Sequence, residues 1–415
     1  MRENPYATAG QRLIEDRAIA LLARPELDRA RTVVSMLFGA VHGWPERDQP
    51  ALHAAMVEEY LFHHAFRAAN GDPNHPQVAR FMVPAHRWLG RDVPGSRWGG
   101  DSPDFTYRTI PVAHGGRYEI YGRKTCEVAP LHFWSLMADT TAAPQTQALL
   151  EGLEMDIAAD GSFTVTVDDS PAAGRRNHLQ TRPGADFIMV RDAHADWIGQ
   201  SANALEVKRL DPAGDPKSAD EMARHAAKIA IESIYYTYYC MQSGKGQAPN
   251  TVRQPLSSAA FGGVATQWGV KGHLDLADDE AIIVRSNHAG ANFRNIVLTD
   301  AFHISIEYWK RTSSLNMLEL AADEDGDFTC VIAGQDPGVH NWLDTGGMRR
   351  MLFGQRWQAF APDAARSDPW MTTELVKLDD LAKALPGGVR RIDAAGRAAQ
   401  IAVREKGFAT RFRED

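Results

Sequence analysis

The chain has 415 residues, 44% of them apolar, and a formal net charge of −8. That is ample for a buried core divided over two or three packed units. It carries no Lys/Arg stripe of the kind that grips a phosphate backbone, so nucleic acid is not an expected partner.

Apolar runs fall far short of the ~20 residues that span a bilayer, so no membrane partner is expected. Met1-Arg-Glu-Asn-Pro-Tyr6 has no apolar centre of the signal-peptide kind. Cys126, Cys240 and Cys330 are odd in number and widely spaced, which points to buried thiols in a reducing compartment rather than disulfides. A cytoplasmic globular protein is expected.

Residues 10–70 are predicted as helices. Leu13, Ile14, Ala18, Leu21 and Leu22 recur at helical spacing, and a second stripe through Met56, Tyr60, Leu61 and His64 follows a start near Pro50. Asn70-Gly-Asp-Pro-Asn-His-Pro76 is a turn cluster that ends this region. The pattern then shifts to short β runs. Phe105–Val112 and Arg117–Tyr121, joined through His114-Gly-Gly116, predict a hairpin.

Ser218-Ala-Asp-Glu221 is a capping box that opens one helix running into Tyr235, Tyr236, Tyr238 and Tyr239 before Ser243-Gly-Lys-Gly. Further strands are predicted over Glu280–Arg285, Arg294–Leu298 and Phe302–Tyr308. A polar stretch from Pro362 to Pro369 precedes two short helices around Leu375–Leu385 and Ala394–Arg411.

One unit is written twice. Asp160-Gly-Ser-Phe leads to Asn177-His-Leu-Gln-Thr181, and Asp325-Gly-Asp-Phe leads to Asn341-Trp-Leu-Asp-Thr345, with Asp-to-Asn offsets of 17 and 16 residues (177 − 160 and 341 − 325). Each copy continues into an apolar strand ending in Arg, at Arg191 and Arg356, with Trp197 and Trp357 after. Upstream, Asp104–Tyr118 and Asp279–Phe293 suggest that a whole hairpin is repeated as well. The fold class is therefore α+β. Its core is a duplicated, mainly antiparallel β-sandwich or jelly-roll-like arrangement, with a helical N-terminal region and C-terminal helices. The expected units are 1–90 helical, 91–215 first β repeat, 216–268 intervening helix and loop, 269–361 second β repeat, and 362–415 linker and helices. The seam between duplicated halves is a natural ligand site.

Thr312-Ser-Ser-Leu-Asn316, Asp325-Gly326, Asp336-Pro-Gly-Val-His-Asn-Trp-Leu-Asp-Thr-Gly-Gly347 and Gln355-Arg-Trp357 resemble, in order and spacing, a bacterial family known as DUF1214. The first copy is similar to it through Gly100-Asp-Ser-Pro-Asp104, Tyr107-Arg108 and Asn177-His-Leu, with His178 where the family has Trp. The resemblance covers roughly residues 90 to 410 and implies the fold. Members carry no assigned reaction, but they often sit among genes for degrading aromatic or other apolar compounds.

The polar cluster Asp101, Asp104, Tyr107 and Arg108 is the densest in the first copy. Alternation sends Tyr107 to the face of Phe105 and Arg108 to the other. A Tyr–Arg pair suits a phenol, since the guanidinium favours the phenolate; the plain alternative is an Arg–Asp pair pinning the loop. His288 and His303, the latter placed on an alternating strand, are possible general bases. Asn341 and Trp342 offer an amide and an indole N–H to a substrate oxygen, or else a turn cap and a core ring. Lys310, in Tyr308-Trp-Lys-Arg311, is a base if buried and a solvated strand end otherwise, and the Tyr235–Tyr239 run lines a pocket only in part.

No metal is expected, because His63 and His64 are adjacent and lack a zinc-type ligand set. Neither a GxxxxGK[ST] loop, nor a Gly-x-Ser-x-Gly elbow, nor a flanked nucleophilic Cys occurs.

The reading that results leans to an enzyme without cofactor, a lyase or isomerase using acid/base chemistry on an apolar, aromatic, lignin-derived type of small molecule. The resemblance adds a carbon–carbon lyase that releases formaldehyde as one such reaction. The expected catalytic residues are Tyr107, Arg108 and His288, with Asp101, Asp104, Tyr308, Asn341, Trp342 and Arg356 binding substrate. A non-catalytic β-sandwich that binds glycans or apolar ligands is the alternative, and a homodimer is left open. The main pocket is expected between the two copies.

Overall fold

A computed structural model describes residues 4–42, 50–138, 145–261, 266–360 and 368–414, with the backbone alone at 41–42, 240–243 and 260–261. The Cys240 thiol, the first three residues of the chain and most of the Pro362–Pro369 stretch lie outside the described residues.

Helices α1 (Ala9–Leu22), α2 (Pro25–His42) and α3 (Pro50–Ala69) open the chain. Thr8 caps α1, its hydroxyl accepting from Gln11 N at 3.0 Å, while Pro25 and Pro50 occupy first-turn positions where no N–H is missed. Strands β1 (Ala79–Phe81), β2 (His86–Trp88) and β3 (Arg91–Val93) lead into the first copy. It is built from β4 (Phe105–Pro111), β5 (Tyr118–Arg123), β6 (Leu131–Ala138), β7 (Gln145–Glu151), β8 (Ser162–Asp168), β9 (His178–Gln180), β10 (Ala185–Ala193) and β11 (Ala204–Arg209).

Helices α4 (Ala219–Glu232) and α5 (Ile234–Lys245) follow. The Ser218–Glu221 capping box is formed as expected, but the single expected helix is interrupted at Ser233. The second copy comprises β12 (Leu256–Ser257), β13 (Trp268–Asp275), β14 (Glu280–Ser286), β15 (Ala291–Thr299), β16 (Ser314–Asn316), β17 (Phe328–Ala333), β18 (Trp342–Asp344), β19 (Arg350–Phe360) and β20 (Met371–Lys377). Helices α6 (Leu381–Ala384) and α7 (Ala394–Thr410) close the chain.

The copies match strand for strand. The five-stranded sheets run β1-β4-β10-β6-β7 and β12-β13-β19-β15-β16, and the four-stranded sheets run β11-β5-β8-β9 and β20-β14-β17-β18. Each four-stranded sheet holds one parallel pair, β8 with β9 and β17 with β18. Each five-stranded sheet faces its four-stranded partner across an apolar core. Ile110, Trp134, Val165 and Val190 fill the first, and Ile282, Ile296, Ile332 and Phe353 the second. The strands of the two copies run over 79–209 and 256–377.

The repeated motif is a repeated turn. Asp160 accepts from Ser162 N at 3.0 Å and Asp325 from Asp327 N at 3.1 Å, with Gly161 and Gly326 at φ +83° and +82°. Asn177 pairs both ways with the Asp156 backbone, at 2.8 and 2.7 Å, as Asn341 does with Ala321. Four of these five equivalences share one shift of 165 positions (325 − 160), and the Asn pair is offset by 164 (341 − 177).

Several expectations are corrected. β4 and β5 belong to different sheets, so His114-Gly-Gly116 is a crossover between layers and not a hairpin turn. Asp104–Tyr118 spans β4 to β5 whereas Asp279–Phe293 spans β14 to β15, so that upstream pairing is one strand out of step. Phe302–Tyr308 forms no strand, and Leu375 lies in β20, not a helix. Trp357 continues β19 while Trp197 stands in the loop after β10, so the two are not equivalent.

The helices cover the outer face of the first five-stranded sheet. Their core, with Tyr60, Phe62 and Phe66 of α3, is continuous with Phe81, Phe105, Tyr107 and Phe133 and with Phe293 and Ala359 of the second copy. One apolar mass therefore joins the bundle to both copies.

Candidate functional site at the seam

The seam is built on Gly100-Asp-Ser-Pro-Asp104. Gly100 adopts φ +81°, and a Cβ there would meet the His303 ring at 2.5 Å, so the close approach requires glycine. Its N donates to His303 O at 2.9 Å and its carbonyl accepts from Arg356 Nη2 at 2.9 Å. Asp101 accepts from Ser305 N at 2.9 Å and from the Ser305 hydroxyl. Arg97 bonds the Ser305 carbonyl at 2.6 Å and Glu59 of α3 at 2.7 and 3.0 Å. Burial pushes the Asp101 carboxyl up, against the pull of Arg97 and Ser305.

Asp104 is fully buried. It accepts from Trp197 Nε1 at 2.9 Å, Asn295 Nδ2 at 2.8 Å and Asn316 Nδ2 at 2.8 Å. Loop and strand of one copy are thus tied to β15 and β16 of the other.

Beside this network stands Tyr107, 6% exposed, whose hydroxyl accepts from Ser102 N at 3.1 Å. Burial raises its pKa, and the Arg356 guanidinium opposes that, Asp101 adds to it and Arg191 opposes it again. Arg191 and Arg356 occupy equivalent positions, the middle strands β10 and β19 of the two five-stranded sheets. Both are half-buried. Arg191 donates to Ser135 Oγ at 3.0 Å, and its own pKa is lowered by burial, with Arg356 contributing like-charge repulsion while Tyr107 and Tyr236 oppose the fall. The positive charge of Arg356 and Arg191 acts on Tyr107 in the direction that favours an anionic oxygen. Phe105 lies 6.0 Å from the Tyr107 ring and 5.2 Å from Phe293 of the second copy, and Trp98 and Tyr236, 5.7 Å apart, belong to the same apolar core.

Asp101, Asp104, Tyr107 and Arg356 are therefore brought together. Arg108 is not among them: it lies on the opposite face of β4, buried inside the first sandwich and paired with Asp192 at 2.8 Å. The cations acting on Tyr107 are Arg356 and Arg191 instead. His288 is exposed in the β14–β15 turn with Arg294 as its charged neighbour. Tyr308 is buried against Trp197 at 5.8 Å and Phe408 at 5.7 Å, and its pKa is pushed up to about 12 by burial. Asn341 spends its amide on backbone, adding a bond to Thr329 O at 3.0 Å. Trp342 donates to Ala333 O at 3.0 Å under the Arg397 guanidinium, on the far side of the second copy. His303 sits at φ +66° in a buried turn, not on a strand, and burial holds its pKa well below the usual value. Lys310 is exposed and lies 3.7 Å from Glu307. Among the described residues no group of three potential metal ligands occurs.

Arg191, Asn295, Asn316 and Asp300 are the residues that the candidate set omits. Arg191 carried a signal, since the repeat aligns it with Arg356. Asp300 carried none: its carboxylate accepts from Phe302 N and Ile304 N at 2.8 and 3.0 Å, and burial pushes its pKa up to about 7.

Between the copies a small hollow is lined by Leu131–Phe133 and Glu151–Leu153 of the first and Ala359 of the second. A cavity of about 40 Å³ lies beside the first copy, walled by residues 4–6, 194–201 and 410–413 with Thr106.

Residues 109–194 match the model of a family described as Protein of unknown function (DUF1214). The resemblance expected from the motifs is thereby shown. The DUF1214 match covers the first copy from β4 through β10, Arg191 included, although the fuller set of motif residues was in the second. No curated protein matches. A crystal structure of an uncharacterised protein from Burkholderia cenocepacia is similar over 87% of this chain and 99% of its own, at 22% identity and TM-score 0.69, which shows a shared fold. A Vibrio parahaemolyticus protein covers 77% of this chain and 98% of its own at 10% identity and TM-score 0.37.

Proposed function

We propose that the chain is an enzyme that works without cofactor, by acid/base chemistry, on a small apolar phenolic molecule at the seam. The observation that carries this reading is the burial of Tyr107 at the seam beside the Gly100 loop that Arg356 of the second copy bonds, with Arg191 opposite Tyr107 in the β10–β4 register. Because Tyr107 is pushed up by burial, it stays protonated at neutral pH and acts as proton donor; the guanidiniums hold the phenolate that the reaction develops. Phe105, Phe293, Trp98 and Tyr236 of the same core supply the apolar, aromatic surroundings that such a substrate prefers. A carbon–carbon lyase that releases formaldehyde from a hydroxymethyl-bearing aromatic is the reaction chosen for the test.

The test is a mass-spectrometric and formaldehyde assay against lignin-derived phenols, repeated with Tyr107→Phe and Arg356→Gln. Each replacement is expected to cost turnover by ~10²-fold or more with folding retained by circular dichroism. Turnover of no phenol in the panel, or full turnover by both variants, overturns the reading.

A further inference from the structure

We propose that the cavity closed by residues 4–6 and 410–413 is a binding site for a small planar oxyanion of formate or acetate type, held by Arg411 with Tyr6, Thr106 and His194. The cavity measures about 40 Å³. A water molecule needs ~10–15 Å³ on that measure, so the space holds about three or four non-hydrogen atoms. It does not rest on the seam chemistry, although Trp197 Nε1 and His194 N both donate to Asp104, at 2.9 and 2.7 Å.

The walls include Arg411 and Arg413 and no carboxylate. Arg411 lies flat over Trp197 at 4.6 Å, and Arg404 lies over the same ring at 4.6 Å. Arg411 Nη2 is buried with no partner among the described residues. Arg80 stacks over the Tyr6 ring at 4.7 Å, and its Nε and Nη2 are equally unmatched. Beneath Thr106, Arg108 is neutralised by Asp192 through Oδ2, and Arg108 Nε and Asp192 Oδ1 are left over. Glu15 is committed to Gln11, Trp88 and Arg91.

Guanidinium N–H groups hidden from water without an acceptor are costly, and a carboxylate satisfies two of them at once. Water would fill the space but would leave the Arg411 guanidinium without a carboxylate among the lining residues. The hydroxyls of Tyr6 and Thr106 and the His194 ring complete a set of donors, with Tyr6 Oη 3.5 Å from His194 Nε2. Burial keeps Tyr6 protonated and His194 neutral, so one of the pair donates to the other and the remaining O–H or N–H is left for an anion at neutral pH.

Asn4 Nδ2 donates to Arg413 O at 2.6 Å and Arg80 Nη1 to Arg411 O at 2.8 Å, so an occupant would be enclosed between residues 4–6 and 410–413.

The experiment titrates the full chain with sodium formate and, separately, sodium acetate and sodium phosphate, replacing sodium chloride at constant ionic strength. The readouts are the thermal midpoint and proton saturation-transfer signals of formate. We expect a saturable rise with formate or acetate, an affinity reduced by roughly tenfold or more in Tyr6→Phe, and no saturable effect in Arg411→Gln. Tyr6→Phe keeps the ring beneath Arg80, so it reads the hydroxyl even if Arg411→Gln fails to fold. Absence of saturation by formate and acetate, affinity unchanged in Tyr6→Phe, or phosphate binding as tightly as formate would overturn the proposal.

Discussion

Asp104 Oδ1 accepts a hydrogen bond from Asn316 Nδ2 at 2.8 Å, so the Gly-Asp-Ser-Pro-Asp loop of the first copy is tied directly to the Ser-Leu-Asn turn of the second. The two motifs that most mark the chain are therefore the two halves of one contact. The carboxylate has three side-chain donors and no exposure, which makes it the pin of the seam.

Asp104→Asn removes the charge and turns an NH₂ toward groups that are themselves donors. Hydrogen bonds to a charged group contribute about 1.5–3 kcal/mol each, and here at least one becomes a donor–donor clash. We expect a loss of about 3 kcal/mol in urea unfolding, with the slope unchanged. A loss under about 0.5 kcal/mol would show that the copies are held by apolar packing alone.

The repeated Asn turns make a paired expectation. Asn177→Ala and Asn341→Ala each free the backbone amide and carbonyl of Asp156 or Ala321. Asn341 is the more buried, 3% exposed, and also bonds Thr329 O, so its loss should be the larger, about 3 kcal/mol against about 1 kcal/mol. The sites lie in different sandwiches, so the double variant should equal the sum to within about 0.5 kcal/mol. Equal losses at both sites, or strong coupling, would argue against this account.

Trp342 is 8% exposed and packs with Val331, Val339 and Leu381 at the far side of the second copy. Trp342→Ala is expected to cost ~3–5 kcal/mol of stability and to leave turnover per folded molecule unchanged. A variant with native melting behaviour but lost ligand binding would restore the indole to a binding role.

The legible part of this fold was what a single strand or turn writes locally. Asp-Gly with positive φ and an Asn that imitates a peptide partner need their own residue types, and so both copies could be read. Which sheet a strand joins is a different matter. Phe105–Val112 and Arg117–Tyr121 alternate as a hairpin would, yet they part at His114-Gly-Gly116 into two layers, because alternation specifies a buried face and not a neighbour. The same limit governs the site. Alternation placed Tyr107 and Arg108 on opposite faces, as found, but the charges that act on Tyr107 belong to Arg191 of β10 and Arg356 of β19. Asp300 was invisible because its pKa arises from burial, which only the assembled core creates.

Asp300 also gives a pH expectation with a defined sign. Its folded pKa is raised from 3.8 to about 7, so the folded state holds this proton more tightly than the unfolded state does. Below pH ~4 both states are protonated and the group has no effect. As pH rises from ~4 to ~7 the unfolded state ionises first, and stability falls by up to about 4 kcal/mol before levelling above pH ~7. His63, lowered to about 3 by burial, acts oppositely, with stability lost as pH falls through ~6.5 toward ~3. The wild-type curve thus mixes both, and a comparison isolates one. Asp300→Asn keeps an oxygen for Phe302 N and Ile304 N but cannot ionise. Urea midpoints measured from pH 4 to pH 8 should show the variant gaining on the wild type with each step up to ~7 and then holding a constant lead. Two curves that stay parallel over that range would mean that Asp300 ionises alike in the folded and unfolded chain, and its burial would then have to be compensated by Arg97.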